Sequence, residues 1–575
     1  MEVSRWERFR LEHHEGTVLL VLTLIIGAVV GAVVVAFILL TENLGARMYP
    51  AGGAAWRRVL IPIAGSLISG LFLYRYFPYA RGSGIPQAKT ALFIRNGYIS
   101  LRTVIGKFTM CSLGLASGLA LGREGPSVQV GCGIASVLGR RLGLSTAGVK
   151  ALVPVGAAAA LAAAFNTPIA AVLFSLEEVM GDMHAPVLGS IVLSSATSWM
   201  VLHLLLGDEP LFHVPAYRLV HPVEFAVYAV LGVAGGLVSV AFVKLLLWQR
   251  KFFQSLPAST RWFMPVAGGI TVGLLGWFAP DVLGVGYGAV DKALNGHIVL
   301  GTMALLVCLK LVATATCYSS GNAGGIFGPA LFIGAMLGGS VGAVAHLVMP
   351  SYTGSVGAYA LGGMGAAFAG IVRVPLTSVI MIFEVTRDYT IIVPLMIANL
   401  LAYYVSSRLQ EEPIYEALLN QDGIHLPSGA AARAKENVLR VSDGLHPGNE
   451  PLSASLTVAE ARALADRLHQ AWPVADDGGL RGMVSAQRLD QEIANGQGGE
   501  LLGQLVPEPG PTEGLTQDIF PHLHADTTLD AALRKIAETG WNVLPVVSRD
   551  NVRQWKGTIS LQDILAAYGV ANPEG

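Results

Sequence analysis

Of 575 residues, 53% are hydrophobic and only 13% charged, and the mean hydropathy is +0.56; ordinary soluble domains carry roughly 25% charged residues, so most of this chain is built for lipid. A net charge of −1 and a pI near 6.9, with no basic run, exclude the electrostatic field of a nucleic-acid binder. The four cysteines, Cys111, Cys132, Cys308 and Cys317, stand in apolar stretches without metal-ligand or disulfide spacing and are expected to pack as small hydrophobes.

The first predicted element is an uncharged run at 18–40, comparable to the roughly 20 residues that cross a hydrocarbon core and too long for a signal-peptide core. His13 and His14 precede it and are placed at the interface rather than on a metal, and Arg5, Arg8 and Arg10 put the N-terminus on the inner side. Further full-length spans are expected at 225–243 and 388–407. Two shorter runs, 168–178 and 375–384, begin with proline and meet a carboxylate after about ten residues. Proline suits a first helical turn, and ten residues cover only about 15 Å, roughly half the bilayer core. These are therefore helices that start inside the membrane domain, where irregular backbone is tolerated only if buried in protein or lining a wet cavity. Charge density rises at RLQEE, 408–412, which divides a membrane domain (1–420) from a linker (421–450, rich in Gly, Ala, Ser and Pro) and a soluble tail.

The membrane region repeats itself. GREGPSVQVG (122–131) and GIFGPALFIG (325–334) share G-x-x-G-P-x-x-x-x-G at an offset of 203, and PIAAVLFSLEE (168–178) and PLTSVIMIFEV (375–385) share a proline followed nine residues later by Glu177 or Glu384, at an offset of 207. Matched, interrupted segments in two homologous halves predict an all-helical multi-pass domain with broken helices, and they point to its binding site. A helix N-terminus carries unpaired N–H groups and roughly half a positive charge, so buried helix starts attract an anion without holding it as a lysine would. GSGIP (82–86), GREGP (122–126) and GIFGP (325–329) can supply such ends; the competing explanation for their glycines is close helix packing.

GSGIP, GREGP and GIFGP in this order, followed by PIYEALL at 413–419, resemble the CLC family of chloride channels and chloride/proton exchangers, and the tail resembles the CBS pair that many members carry. The resemblance implies that the Ser83 hydroxyl and the Tyr415 phenol contact a central anion together with the backbone N–H groups of Ile326 and Phe327. It places Arg123, Glu124 and Gly125 at the outer anion site, with Glu124 as the gating glutamate whose carboxylate competes with the anion until a proton releases it. Glu178, within FSLEEVM, matches the internal glutamate that delivers protons in exchangers, whereas Glu177 and Glu384 are expected to be structural, bonded to neighbouring backbone or hydroxyls. Chloride is the implied ion, because proline at the position of Ser83 would resemble nitrate-preferring members and fluoride exporters depart from the GREGP and tyrosine patterns kept here. An inverted topology of the two repeats, and a homodimer with one pathway per subunit, set in the lipid of a bacterial inner or plasma membrane with both termini cytoplasmic, also follow from the resemblance.

In the tail, 471–489 and 543–565 each give a strand with proline, a polar turn and Gly-x-x-Ser, so 451–507 and 518–575 are read as two small α/β CBS modules, the first degenerate. Ser560 and Asp563 match the ribose- and phosphate-facing pattern of an adenine-nucleotide site, while the first module has Arg488 where an acid is expected. No cofactor is required and no metal site is expected. The function expected is secondary active exchange of chloride for protons, without bond chemistry; the alternative is a passive voltage- or pH-gated chloride channel on the same fold. An intramembrane metalloprotease would need H-E-x-x-H, but His14-Glu15 is followed by Val18. A magnesium transporter would need oxygen-rich ligands where these motifs present amides.

Overall fold

Lipid offers no partner to a backbone N–H or C=O, so an apolar chain must satisfy those groups within helices. The structure, a computed structural model, is accordingly built of helices between Glu15 and Gln421. It describes residues 15–183, 187–208, 210–212, 214, 219–424, 426, 439–445, 451–465, 471–506 and 520–567; Arg5, Arg8, Arg10, His13 and His14 lie outside them. The chain divides into two units, Met1–Pro427 and Ser428–Gly575.

The first unit runs α1 (Glu15–Met48), α2 (Arg57–Arg75), α3 (Ile85–Phe93), α4 (Leu101–Ala116), α5 (Glu124–Arg141), α6 (Thr146–Phe165), α7 (Pro168–Phe174) and α8 (Leu188–Leu206). It continues through α9 (Glu224–Ser255), α10 (Pro265–Phe278), α11 (Tyr287–Leu294), α12 (Leu300–Ser319), α13 (Phe327–Val348), α14 (Val356–Val372), α15 (Pro375–Thr386), α16 (Ile392–Leu409) and α17 (Ile414–Gln421). Among the described residues, eight helices are long and apolar enough to cross a bilayer, including the segments expected at 18–40, 225–243 and 388–407. The protein is thus a multi-pass membrane protein.

The short helices begin where proline predicts, α7 at Pro168 and α15 at Pro375, each after a residue in the left-handed region, Asn166 (φ 60°) and Arg373 (φ 68°). A π-helical turn, Ser175–Met180, follows α7 and carries Glu177 and Glu178. Glu384 accepts the amide N–H groups of Ile169 and Ala170 at 2.9 and 2.6 Å, while Glu177 accepts those of Leu376 and Thr377 at 3.3 and 2.9 Å and the Thr377 hydroxyl at 2.7 Å. Each half therefore caps the short helix of the other, and the expected structural role of both glutamates is met. Glu384→Ala strips the acceptor from two amides and is expected to lower stability by about 1–3 kcal/mol, read as a drop in Tm of the full-length protein; an unchanged Tm would contradict the capping role.

Glycines explain how the halves are packed. A Cβ at Gly131 would stand 2.3 Å from the carbonyl oxygen of Gly156, and one at Gly334 would stand 2.3 Å from that of Gly363. These pairs let α5 touch α6, and α13 touch α14, backbone to backbone. The packing explanation thus accounts for the last glycine of each repeat motif, while the first glycines serve the site described below.

The second unit holds two modules of one topology. In the first, β1 (Leu452–Ser453) pairs parallel with β2 (Ala471–Asp476), which pairs antiparallel with β3 (Gly479–Ser485); in the second, β4 (Leu523–His524), β5 (Val543–Val547) and β6 (Trp555–Ser560) do the same. Helices α18 (Val458–Leu464), α19 (Ala486–Ala494) and α20 (Leu502–Leu505) belong to the first, and α21 (Leu529–Thr539) and α22 (Leu561–Ala567) to the second. The modules meet at Leu480, Phe520 and Val547 and through Arg553, which reaches Asp476 at 3.4 Å. The 421–450 linker needs correction, because residues 439–445 belong to the second module: Val441 is buried in its core and donates its N–H to the Thr527 carbonyl at 2.8 Å. One buried valine in a polar, Gly-rich stretch gives no periodicity, which is why composition alone reads it as linker.

Candidate functional site

The three Gly-Pro motifs converge. Gly122 and Gly325, equivalent positions of the two repeats, exchange both backbone hydrogen bonds at 2.7 Å in an antiparallel bridge. The chain therefore passes this junction in opposite directions in the two halves, as an inverted repeat requires. The Gly82 N–H donates to the Asn322 carbonyl and the Gly324 N–H to the Gly82 carbonyl, both at 3.1 Å, which stitches the first motif to the third. Helices α3, α5 and α13 start here, and their opening amides have no preceding turn to bond. Those of Ile326 and Phe327, at the start of α13, are among them.

Two buried hydroxyls face this junction. Ser83 Oγ and Tyr415 OH interact electrostatically with each other but neither meets a protein partner at hydrogen-bond geometry. A buried hydroxyl without a well-placed partner is costly, so two such groups near each other favour a further hydrogen-bonding partner there. The Tyr415 ring sits edge-on to Phe327 at 6.2 Å, and Phe327 is itself wedged among Phe165, Phe174 and Phe368. Helix α17, which carries Tyr415, is clamped to α9 by Arg250, whose guanidinium donates to the Leu418 carbonyl at 3.3 Å and pairs with Asp422 at 2.7 Å.

Glu124, the first residue of α5, is fully buried. One carboxylate oxygen accepts the Tyr287 hydroxyl and the other the Gly328 N–H at 3.3 Å, at the start of α13. The Arg123 side chain turns aside to Glu42 at 3.0 Å and lies over the Tyr287 ring at 5.6 Å. Gly125 stands beside Ser83: a Cβ there would lie 2.7 Å from the Ser83 hydroxyl. Tyr287 is missed by reasoning from the motifs, yet a signal exists. Gly82-Ser83-Gly84 recurs as Gly284-Val285-Gly286 at an offset of 202, with all four glycines at positive φ (69°, 106°, 63° and 92°). Tyr287 thus opens the second half's counterpart of α3. The match extends to buried lysines 203 residues apart: Lys107 donates to the Gly82 carbonyl at 2.7 Å and Lys310 to that of Gly284 at 2.6 Å.

Tyr415 is within electrostatic range of both Glu178 and Glu124; Glu178 is itself buried. Its carboxylate pairs with buried Lys89 at 2.8 Å, and Lys89 approaches Glu416 at 3.9 Å. Lys89 was also not anticipated, because one lysine in the nine residues of α3 looks like a solvated face. Breaking a buried pair leaves an uncompensated charge, so Lys89→Met is expected to destabilise the protein by about 3–5 kcal/mol, with most of the loss recovered in Lys89→Met/Glu178→Gln. Additive losses in a Tm comparison of the three variants would contradict a coupled pair.

In the second unit, Asp563 accepts from both the N–H and the hydroxyl of Ser560 at 2.7 Å, while its own N–H donates to Ser560 Oγ at 3.2 Å. The two residues expected at a nucleotide are thus engaged with each other at the start of α22. In the first module the Arg488 N–H donates to Ser485 Oγ at 3.3 Å in the same helical position.

Helix starts gathered from two inverted halves around buried hydroxyls and carboxylates define a membrane protein of the broken-helix, ion-handling class. Residues 65–407 match the voltage gated chloride channel family and residues 515–569 the CBS domain; the chain belongs to the voltage gated chloride channel family. It is 32% identical over 385 residues to the putative chloride channel protein ClcB-like of Ralstonia nicotianae, covering 65% of this chain and 89% of that one. It is 32% identical over 369 residues to the H(+)/Cl(-) exchange transporter ClcA of Vibrio campbellii, covering 63% and 79%. Among solved structures it resembles a slow cyanobacterial Cl-/H+ antiporter (28% identity, TM-score 0.65, 70% of this chain and 97% of that one). It shares its fold with a eukaryotic CLC transporter (20% identity, TM-score 0.62, 95% and 97%).

Proposed function

We propose that this protein exchanges chloride for protons across a membrane. The observation that carries the reading is the placement of two buried carboxylates, Glu124 and Glu178, within electrostatic range of one phenol, Tyr415, whose hydroxyl interacts with that of Ser83 while neither meets a protein partner at good hydrogen-bond geometry. Chloride binds between the two hydroxyls and the amides of Ile326 and Phe327. Glu124 competes with it from the α5 N-terminus, where Arg123 and Gly125 shape the outer anion site, and Glu178 passes protons from the opposite side. Tyr287 and the Gly328 amide hold the Glu124 carboxylate in place, so protonation, which weakens both contacts, frees it to move. The names of the exchange transporters and of the antiporter structure support exchange over passive conduction. No covalent bond is made or broken, so the protein acts as a transporter and not as an enzyme.

The same reading takes the chain as a homodimer in the lipid of a bacterial inner membrane, with both termini cytoplasmic and a pathway in each subunit. Adenine nucleotide at the CBS pair is part of it; binding would require Ser560 and Asp563 to exchange their mutual hydrogen bonds for those of the ligand. Two neutral hydrogen bonds contribute about 1 kcal/mol each, so Ser83→Ala/Tyr415→Phe is expected to weaken chloride binding, measured by calorimetry on the purified protein, by roughly tenfold or more. An unchanged affinity would place the anion elsewhere.

A further inference from the structure

Beside the Gly284 turn, a cavity of about 450 Å3 opens between the α1–α2 connection, the end of α4 and the loop after α10. Leu115, Ala116 and Leu283 give it apolar walls, Arg57 and Arg58 line its rim, and no acidic residue lines it. Among the described residues neither arginine is paired with a carboxylate: Arg57 donates to the Met48 carbonyl at 3.4 Å and stacks over Trp56 at 5.8 Å, which leaves further N–H donors of its fork unused. Guanidiniums without a carboxylate partner suit a phosphate-bearing headgroup, whose oxygens their planar forks can bind.

The surroundings place the cavity at headgroup depth. Trp56 and Leu60 on one side, and Trp277 and Phe278 on the other, are exposed, Phe278 to 84%. Tryptophans flanking spans in this way sit at the boundary between acyl chains and headgroups. We propose that this cavity binds a phosphate ester anion, with Arg57 and Arg58 forking its oxygens, and that the phosphate is that of an anionic phospholipid whose glycerol and acyl root lie against Leu115 and Leu283. Free phosphate offers the same anion without the apolar part, and its binding would not use those walls.

The test titrates the purified full-length protein in neutral detergent with phosphatidylglycerol, phosphatidylcholine and inorganic phosphate, counting bound molecules per subunit by native mass spectrometry. Phosphatidylglycerol is expected to bind at least tenfold more tightly than phosphatidylcholine, to lose that preference in Arg57→Gln/Arg58→Gln, and to keep it in Arg57→Lys/Arg58→Lys. Should the glutamine variant not fold, Ala54→Leu, which narrows the exposed rim without changing charge, is expected to weaken phosphatidylglycerol alone. A phosphatidylglycerol preference that survives the glutamine substitution, or phosphatidylglycerol binding that the leucine substitution leaves unchanged, overturns the proposal. Inorganic phosphate retained by the unmodified protein and lost in the glutamine variant, with no preference between the two lipids, overturns the lipid source in favour of free phosphate.

Discussion

Glu124→Gln is expected to conduct chloride while proton transport falls by about 10²-fold or more, the scale on which loss of a positioned proton-transfer group is felt. The carboxylate is fully buried between the Tyr287 hydroxyl and the Gly328 amide, so a side chain of the same shape fits without disturbing α5 or α13. Glutamine cannot exchange a proton, which removes one leg of the cycle outright. It is also neutral, so it no longer competes as an anion for helix starts that favour negative charge, and chloride flux is expected to stay within about tenfold of the unmodified protein on the same argument. Paired chloride and pH recordings on one liposome preparation check both halves of the statement. Proton flux that persists in this variant would remove Glu124 from the proton path.

Glu178→Gln is the second large effect: proton transport is expected to fall by a similar factor, with chloride flux retained. Here the reading is complicated by Lys89, which loses its 2.8 Å partner and becomes an unpaired buried cation, at a cost of about 3–5 kcal/mol. The variant Lys89→Met/Glu178→Gln separates stability from transport, because it removes both charges. If the double variant regains stability while proton transport stays lost, the carboxylate is the proton donor. If proton transport returns with stability, Glu178 is a structural acid and its expected role fails.

The differences between sequence and structure follow from the range of the interactions. Prolines at 168 and 375, the two repeat offsets and the three Gly-Pro motifs are local signals, and the structure places each as the start of a helix or a point where the halves meet. The partners that hold the carboxylates are not local. Tyr287 is 163 residues from Glu124 and Lys89 is 89 from Glu178, and neither stands in a charged or aromatic cluster that would draw notice. Only extending the repeat to Gly284-Val285-Gly286 would have singled out the tyrosine. The reciprocal caps of Glu177 and Glu384 were half legible: their equivalence follows from the offset, whereas the exchange between halves needs the inverted geometry. The burial of Val441 in the second module was not legible, since Leu439, Val441 and Ser442 are held by backbone bonds to Leu529, Thr527 and Ala525, more than 80 residues on.

The central claim is that chloride and protons move in linked, opposite directions through one protein. The most direct measurement places the unmodified full-length protein in sealed liposomes with a chloride gradient, no proton gradient and a pH probe outside. The account predicts proton movement against the proton gradient that forms, driven by chloride and abolished in Glu178→Gln. Rapid chloride flux with no proton movement would contradict it and leave a passive chloride pathway on the same fold.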